Sequence, residues 1–363
     1  MPRPTGIGVY TEALLDELLR RDEFDLIGLA HAPLHESVRL ESRGLTVERH
    51  AAPLGVIWQQ RYLPERLSEG DIDLLWSPLL TLPGRLPVPG VVTLHDLAVL
   101  HHPETLHWRV RLSLLPFLEN TVRQATRILT VSHAMAGEIA AQWPEAAGRI
   151  DVAWNGVASD FRPASAEEAA AHRQRLHLPD KYLLFVGTVG PRKNLDLLLD
   201  AWEALRRDSA ATPPLIVVGP DGWGSRATHR RLRRLAGLGL RHFGHLDRAD
   251  LVAVVQAATL FVFPSLYEGF GLPAAEAMAC GVPTLVSHSS SLPEVVGDPG
   301  QTFDPEDPGG LALLLRDCLE SPARLAEIAQ RGRERAAAFT WQRSAELHAD
   351  SFRRALATGS PTA

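Results

Sequence analysis

One segment in the second half of the chain constrains the fold most strongly. The apolar run Ala258–Phe263 predicts a buried strand, and Ala274–Ala279 predicts a helix that begins just after a proline. Glu268 lies on the glycine-containing loop between them, and Glu276 follows in the first turns of the helix. In an open α/β sheet, ligands bind at the carboxyl ends of the strands, where a helix N-terminus favours an anion. The segment therefore predicts an α/β fold with a ligand site at these two glutamates.

The same alternation of strand and helix patterns runs through the rest of the chain. Strands are predicted at 25–31, 45–49, 72–76, 90–94, 128–131, 150–153, 182–187, 215–219, 242–244, 260–263 and 284–287. Helical patterns cover 9–19, 106–126, 134–142, 195–206 and 341–356. This order is typical of parallel, doubly wound sheets, and a break between 158 and 180 divides the chain into two such regions.

Composition excludes several classes of protein. A chain of 363 residues is long enough for two domains, and a net charge of −6 argues against general nucleic-acid binding. The two cysteines, Cys280 and Cys318, predict no disulfide framework and fit a reducing, cytoplasmic setting. No apolar run reaches the roughly eighteen residues of a membrane-spanning helix, and the N-terminus lacks an apolar secretory core.

A second candidate site is the loop Gly187–Leu195, which reads GTVGPRKNL, follows a predicted strand and opens a helix. Arg192 supplies a bidentate fork and Lys193 a point charge, so the pair is suited to a diphosphate. Fixed cations at this position would stabilise the negative charge that develops on a departing nucleoside diphosphate. The alternative interpretation is a solvated basic helix start.

In the first half, His95 and Asp96 follow the predicted strand 90–94. A histidine can both donate and accept a hydrogen bond at neutral pH, so His95 is a candidate ligand contact, and the alternative is a histidine that caps a strand end. Together with His101 and His102 these residues suggest a metal site, but no second ligand cluster accompanies them, and we predict no metal.

The segments EGFGLPAAE, GTVGPRKNL and TLHDL together resemble the retaining glycosyltransferases of family 4, over nearly the whole chain. The resemblance implies the GT-B architecture, in which two Rossmann-like, doubly wound parallel-sheet domains face a central cleft. Residues 1–160 would form the acceptor-side domain, 161–340 the nucleotide-sugar domain, and 341–363 a helix that returns to the first domain. The family's first strand, which usually precedes a TGIG-type loop, is missing before Gly6, so we expect a truncated or misassigned start.

The resemblance also implies a ligand contact for each candidate residue. Glu276 would bind the ribose hydroxyls, Glu268 would position the donor sugar, and His95 would contact that sugar near its 6-hydroxyl. The diphosphate and the surrounding pocket would be bound by Gly6, Gly8, Arg192, Lys193 and the backbone of Phe270, Gly271 and Leu272. The assignment of Arg192 departs from the family pattern, because many relatives have arginine directly after the first glycine, where this chain has Thr188.

The activity implied by the resemblance is transfer of a hexose from a nucleotide diphosphate sugar to a hydroxyl, with retention and without a metal or other cofactor. The motifs look most like those of bacterial mannosyltransferases, so GDP-mannose is the predicted donor. Users of UDP-glucose, UDP-N-acetylglucosamine and dTDP-rhamnose share much of the same pattern and remain as alternatives. A saccharide or lipid-linked saccharide in cell-surface polysaccharide or glycolipid synthesis is the predicted acceptor. A nucleotide-sugar epimerase of the same fold and a non-catalytic nucleotide-binding relative remain as alternatives. The basic helix that begins at His107 is interpreted as half-buried, with peripheral contact to an anionic membrane as its alternative.

Overall fold

The computed structural model describes residues 6–33, 40–106, 108–223 and 226–359. The chain divides into two compact units. The first consists of Met1–His101, Trp108–Gly156 and Thr340–Ala363, and the second consists of 102–107 and Val157–Phe339. The first unit is therefore discontinuous in sequence, because its last segment follows the whole of the second unit.

The strands of the described residues are β1 (Ile27–Ala30), β2 (Thr46–Arg49), β3 (Leu75–Ser77), β4 (Gly90–Leu94), β5 (Arg127–Thr130), β6 (Ile150–Val152), β7 (Leu183–Val186), β8 (Leu215–Val218), β9 (Arg241–His242), β10 (Leu260–Phe263), β11 (Thr284–Ser287) and β12 (Thr302–Phe303). All of their pairings are parallel. The sequence predicted eleven of these strands to within three residues at either end, whereas it missed the two-residue strand β12.

The helices are α1 (Gly6–Arg21), α2 (Gly55–Ile57), α3 (Leu63–Leu67), α4 (Ala98–His101), α5 (Trp108–Gln124), α6 (His133–Gln142), α7 (Ala166–Arg175), α8 (Leu195–Asp208), α9 (Arg226–Leu235), α10 (Arg248–Gln256), α11 (Leu272–Ala279), α12 (Leu292–Val296), α13 (Pro308–Glu320), α14 (Pro322–Ala336) and α15 (Trp341–Thr358). Throughout the described ranges, none of them is both long and apolar enough to cross a membrane. The side chains at the start of α5, on which the membrane alternative depends, lie outside the described residues.

The first unit holds two sheets, β1-β2 and β3-β4-β5-β6. In the part of the unit that the structure describes, no strand pairs with both of them. Apolar residues repeat every four positions in α1 at Tyr10, Leu14 and Leu18, and this stripe packs with α15 in one buried cluster that also contains Val91 of β4. The core beneath β4 is thus built from both ends of the unit's sequence.

Helix α1 begins earlier than the sequence predicted. The pattern indicated a glycine loop before a helix from Val9, but the helix starts at Gly6, so Gly6 and Gly8 form its first turn. Glycine costs about 1 kcal/mol in a helix interior, and the first turn makes fewer intrahelical hydrogen bonds, which explains why the pair is accommodated here.

The second unit is one six-stranded parallel sheet with the order β12-β11-β10-β7-β8-β9. Strands β8, β10 and β11 are buried at every position, as expected for a parallel sheet that is covered on both faces. The chain moves outward from β7 through β8 to β9 and then returns to the other side of β7 at β10. The order therefore reverses between β7 and β10, and this is the position where open α/β sheets bind ligands.

Close packing of two loops at the carboxyl end of this sheet depends on Gly219. Its φ is +144°, and a Cβ atom there would lie 2.0 Å from the carbonyl oxygen of Gly187. We expect Gly219→Ala to destabilise the protein by about 3 kcal/mol, because the backbone must shift as well as adopt a disfavoured conformation. Denaturant unfolding measures this change. Gly237→Ala is the matched control, since a Cβ atom there meets no atom within 4 Å, and equal midpoints for the two variants would contradict the prediction.

Candidate functional site

Two loops of the second unit meet where the strand order reverses. One follows β7 and carries Arg192 and Lys193, and the other follows β10 and carries Glu268. Because β7 and β10 are paired neighbours, their carboxyl ends place these loops side by side. The N–H of Leu266 donates a 2.9 Å hydrogen bond to the carbonyl oxygen of Arg192, which joins the loops directly.

Glu268 lies between the two cations. Lys193 Nζ donates a hydrogen bond to its Oε1, and Arg192 Nη1 lies 3.2 Å from its Oε2. The Glu268 side chain is 10% exposed. Burial alone would raise the pKa of Glu268, but the charges of Lys193 and Arg192 outweigh that effect and lower the pKa below its usual value. Glu268 is therefore an ionised carboxylate at neutral pH. The three side chains together carry a single net positive charge.

Serines after β11 hold the backbone of the Glu268 loop. The N–H of Glu268 donates to Ser290 Oγ at 2.8 Å, and the buried hydroxyl of Ser291 lies 2.9 Å from the carbonyl oxygens of both Glu268 and Phe270. These serines were not predicted from the sequence. The signal that could have found them is a run of polar hydroxyls, SHSSS, at the carboxyl end of the strand next to β10.

The loop ends at Gly271, the residue before α11. Its φ is +102°, and a Cβ atom at Gly271 would lie 2.6 Å from Leu292 Cδ2, so a glycine is required for this turn. The ring of Phe270 is buried and packs edge-on against Phe339, with 5.2 Å between ring centroids. Only the backbone of Phe270 is thus available to a ligand, as it is at Gly271. Leu272 is half-buried and begins α11.

Glu276 lies in the second turn of α11 and is half-buried. Burial raises the pKa of Glu276 to about 8, while the charge of Arg248 lowers it and that of Asp160 raises it. Arg248 forms a bidentate pair with Asp160, at 2.6 and 2.7 Å, so much of its charge is balanced there. Glu276 is therefore protonated at neutral pH. Neither Arg248 nor Asp160 was predicted from the sequence to be a neighbour of this glutamate.

The raised pKa of Glu276 predicts a pH-dependent stability. The stabilising contribution of its protonated form is complete below the unfolded-state pKa of about 4.3 and is lost as the pH rises toward about 8. Glutamine cannot ionise, so the melting temperature of Glu276→Gln should exceed that of the wild type by a margin that widens from about pH 5 to about pH 8.5. Differential scanning fluorimetry measures the margin. The exposed Glu306, changed to glutamine, is the control, and a margin that does not vary with pH would contradict the prediction.

In the first unit, His95 follows β4 directly. Its Nε2 lies 2.9 Å from the carbonyl oxygen of Pro78, to which the ring donates when Nε2 carries the proton. Burial lowers the pKa of His95, although the Pro78 carbonyl and Asp96 oppose this effect. A neutral ring that donates from Nε2 can accept a hydrogen bond at Nδ1. His95 is accordingly suited to accept from a ligand hydroxyl rather than to act as a cation.

The His95 ring packs against a buried polar network. The Tyr10 ring meets the His95 ring edge-on, with 4.5 Å between centroids, and the Tyr10 hydroxyl lies 2.6 Å from His348 Nε2. His348 Nδ1 lies 2.7 Å from the carbonyl oxygen of Ser344, and burial lowers the pKa of His348 to about 4. The network links α1 and α15 behind His95. Neither Tyr10 nor His348 was identified from the sequence.

The predicted site residues thus form two groups, one in each unit. The first unit contains Gly6, Gly8 and His95, and the second contains the two cations, the two glutamates and the backbone of 270–272. Gly6 is exposed at the N-terminus of α1, where backbone N–H groups lack intrahelical partners. Each set of residues offers side chains or backbone N–H donors that are suited to binding anionic or hydroxyl-bearing ligands.

Comparison with known proteins identifies the family. The family described as Glycosyltransferase Family 4 matches residues 4–161, and the family described as Glycosyl transferases group 1 matches residues 167–335. The O-antigen chain mannosyltransferase B of Escherichia coli is 32% identical over 356 residues, which cover 93% of each chain. The chain is a family 4 glycosyltransferase. The predicted family, and with it the predicted hexosyltransferase class of enzyme, are confirmed.

Further relatives match this glycosyltransferase over part of their length. The serotype-specific mannosyltransferase WbdA of Escherichia coli is 32% identical over 243 residues, which are 64% of this chain and 29% of WbdA. The D-inositol 3-phosphate glycosyltransferase 2 of Catenulispora acidiphila is 33% identical over 251 residues, which are 66% of this chain and 58% of that protein. The match therefore covers different shares of the length of these relatives.

Solved structures confirm the predicted GT-B fold. HepE of Anabaena, in complex with UDP, superposes with a TM-score of 0.76 at 21% identity and covers 97% of both chains. WaaG, a glycosyltransferase involved in lipopolysaccharide biosynthesis, superposes with a TM-score of 0.74 at 15% identity and covers 96% of both chains. At these identities, the similarity establishes the fold of the glycosyltransferase.

Proposed function

We propose that this glycosyltransferase transfers mannose from GDP-mannose, with retention, to a hydroxyl of a saccharide or lipid-linked saccharide during cell-surface polysaccharide synthesis. The observation that carries the proposal is the pairing of Arg192 and Lys193 with the buried carboxylate of Glu268 at the reversal of strand order. The choice of mannose is supported by the 32% identity to an O-antigen chain mannosyltransferase over nearly the whole chain.

The two cations are suited to binding the donor's diphosphate. Arg192 and Lys193 stand at the carboxyl end of β7, just before α8, and both contact the carboxylate of Glu268. As the bond between the sugar and the diphosphate breaks, negative charge grows on the leaving oxygen. Cations that are already fixed stabilise this charge more in the transition state than in the ground state.

Glu268 is assigned to positioning and electrostatics around the sugar. As an ionised carboxylate it accepts hydrogen bonds from sugar hydroxyls, and it stabilises positive charge that develops at the anomeric carbon. The bond from the anomeric carbon to the diphosphate oxygen breaks, and the acceptor oxygen bonds to that carbon on the same face. The acceptor's proton passes to the leaving phosphate oxygen. Neutral His95 accepts a hydrogen bond from the donor sugar near its 6-hydroxyl.

Glu276 is assigned to the ribose. The 2′ and 3′ hydroxyls of the ribose donate hydrogen bonds to a carboxylate. Nucleotide binding therefore favours the ionised form of Glu276, which is protonated in the unliganded protein at neutral pH. The backbone N–H groups of Gly271 and Leu272, at the N-terminus of α11, are suited to the adjoining phosphate or sugar oxygens. No metal ion is required in this scheme, because the cations of the protein offset the diphosphate charge.

The proposed reaction takes place in the cytoplasm, at the inner face of the membrane when the acceptor is lipid-linked. Cys280 and Cys318 are buried free thiols, which fits a reducing compartment.

A donor screen tests the proposal. The purified protein is melted with GDP, UDP, dTDP and ADP, each with magnesium or with EDTA, and is then assayed with GDP-mannose and a saccharide acceptor. We expect a metal-independent stabilisation by GDP and an α-linked product from the α-configured donor, identified by NMR. Stabilisation by UDP alone would overturn the choice of GDP-mannose. Conversion of the donor without an acceptor would identify an epimerase, and cooperative melting without any nucleotide effect would indicate a non-catalytic relative.

A further inference from the structure

Three residues with metal-binding side chains meet at the β9 edge of the second unit's sheet. Asp221 follows β8, His229 lies in α9, and His242 is in β9. One ligand atom of each residue lies within 4.8 Å of the ligand atoms of the other two. Across the described ranges, this is the only such group of three histidine, cysteine or acidic side chains. The group was not predicted from the sequence, because its members come from three separate segments of the chain.

The surroundings of His229 point to a ligand. Its side chain is 15% exposed, and its Nε2 is buried without a hydrogen bond, although an Asp221 carboxylate oxygen lies 3.1 Å away. A buried ring nitrogen of this kind normally has a well-aligned partner. The Asp221 side chain is 73% exposed, which gives an ion access from solvent.

His242 is oriented in the manner of a metal-binding histidine. Its Nε2 lies 2.9 Å from the carbonyl oxygen of Gly219. Histidines that bind metals almost always donate their other ring N–H to a carbonyl or carboxylate, which fixes the tautomer and the ring orientation. The ring centroids of His229 and His242 are 5.7 Å apart, so both imidazoles lie around the same space.

We propose that Asp221, His229 and His242 bind one divalent transition-metal ion, with Zn²⁺ as the best match. Two imidazoles and one carboxylate are typical zinc ligands, whereas Mg²⁺ prefers an all-oxygen site. Ligand atoms around a tetrahedral zinc ion are about 3.3 Å apart, because each lies roughly 2.0 Å from the metal. Small side-chain rotations bring the three groups to this spacing, and water supplies the fourth ligand.

The ion would fasten the loop after β8 to α9. That loop already pairs with the loop after β7, since the N–H of Val189 donates to Pro220 O at 2.9 Å and the N–H of Gly222 donates to Val189 O at 2.8 Å. Because the site draws on none of the residues assigned to the donor, its role is to stabilise this edge of the sheet. The inference does not depend on the proposed function.

Metal titration of the untagged protein tests the site. The protein is stripped with EDTA, desalted and titrated with ZnCl₂ by calorimetry, and we expect one tightly bound ion per chain and a higher melting temperature. Substitution with Co²⁺ should give the strong visible absorption of a tetrahedral site. His229→Gln and His242→Gln should each weaken zinc binding by about tenfold or more. His245→Gln changes an exposed histidine outside the cluster and should bind like the wild type.

Asp221→Asn should also weaken zinc binding, and it changes an exposed side chain rather than a core residue. The melting temperature of each metal-free variant checks its fold. Absence of zinc binding to the wild type would overturn the proposal and leave His229 and Asp221 as an ion pair only. Undiminished binding in the combined His229→Gln and His242→Gln variant would also overturn it, because the ion would then belong to another surface site.

Discussion

Replacing Lys193 with alanine is expected to lower turnover by roughly 10²–10³-fold and to weaken the binding of the nucleoside diphosphate, because fixed charge at a leaving group contributes on this scale. Lys193 contacts Glu268 directly and also lies over the ring of Phe263, 5.0 Å from its centroid, so its ammonium group is held in place before a ligand arrives. Its loss removes charge that acts both on the bound diphosphate and on the transition state. Steady-state kinetics and calorimetry with GDP measure the two effects.

The same substitution removes one of the two cations that contact Glu268 and leaves Arg192, whose Nη1 lies 3.2 Å from Glu268 Oε2. We therefore expect the pKa of Glu268 to rise in the variant. As the pH is lowered, the activity that remains should begin to fall at a higher pH than in the wild type, because Glu268 becomes protonated sooner. Lys181→Ala is the matched control, since Lys181 is exposed and belongs to the same unit. If Lys193→Ala kept wild-type turnover and GDP affinity, the assignment of Lys193 to the site would be wrong.

Glu268→Gln is expected to reduce turnover by about 10²-fold or more while the affinity for GDP stays nearly unchanged. Glutamine keeps the size of the side chain but lacks the negative charge that the proposed mechanism places at the reacting sugar. GDP lacks the transferred hexose, so it does not engage this charge. The measurements are turnover with the complete donor and, separately, the dissociation constant of GDP.

The two variants should differ in which of two quantities they change, the rate or the affinity for the diphosphate. A change at Lys193 should affect diphosphate affinity and rate together, whereas a change at Glu268 should affect the rate alone. Glu306→Gln, at an exposed position of the same unit, controls for the loss of one negative charge. If Glu268→Gln retained full turnover, or if it lost GDP affinity as strongly as Lys193→Ala, the assignment of Glu268 to the sugar would be wrong.

Much of the fold could be predicted because its strands are apolar runs with clear ends. The predicted ranges 90–94, 260–263 and 284–287 coincide with β4, β10 and β11, each of which is buried throughout. Two-residue strands carry little periodicity, so β12 was missed and the predicted range 242–244 shares only His242 with β9. The start of α1 was misplaced because the low helix propensity of glycine favours a loop, whereas the structure uses both glycines in the first helical turn.

The positions of the candidate residues could be predicted where they depend on local sequence. Glu268 and Lys193 stand in loops that directly follow buried strands, and the strand pattern alone indicates where those loops lie. The supporting contacts are long-range. Ser290 meets Glu268 across 22 positions, and Tyr10 meets His348 across 338. A single sequence carries no signal for such pairings, and it likewise could not show that Glu276 lies close enough to Asp160 and Arg248 for their charges to act on it.

The position of α15 has a consequence for biosynthesis. The cluster formed by Tyr10, Leu14 and Leu18 of α1 is completed by Ala349 and Phe352 of α15, which the ribosome makes only after the entire second unit. The nascent first unit must therefore keep an apolar face open to solvent or to a chaperone while 157–339 are translated. The second unit can close its own core first, which reverses the usual N-terminal-first order of domain folding. A fragment that stops at Gly156 should consequently aggregate, whereas supplying α15 on a separate peptide should restore its solubility.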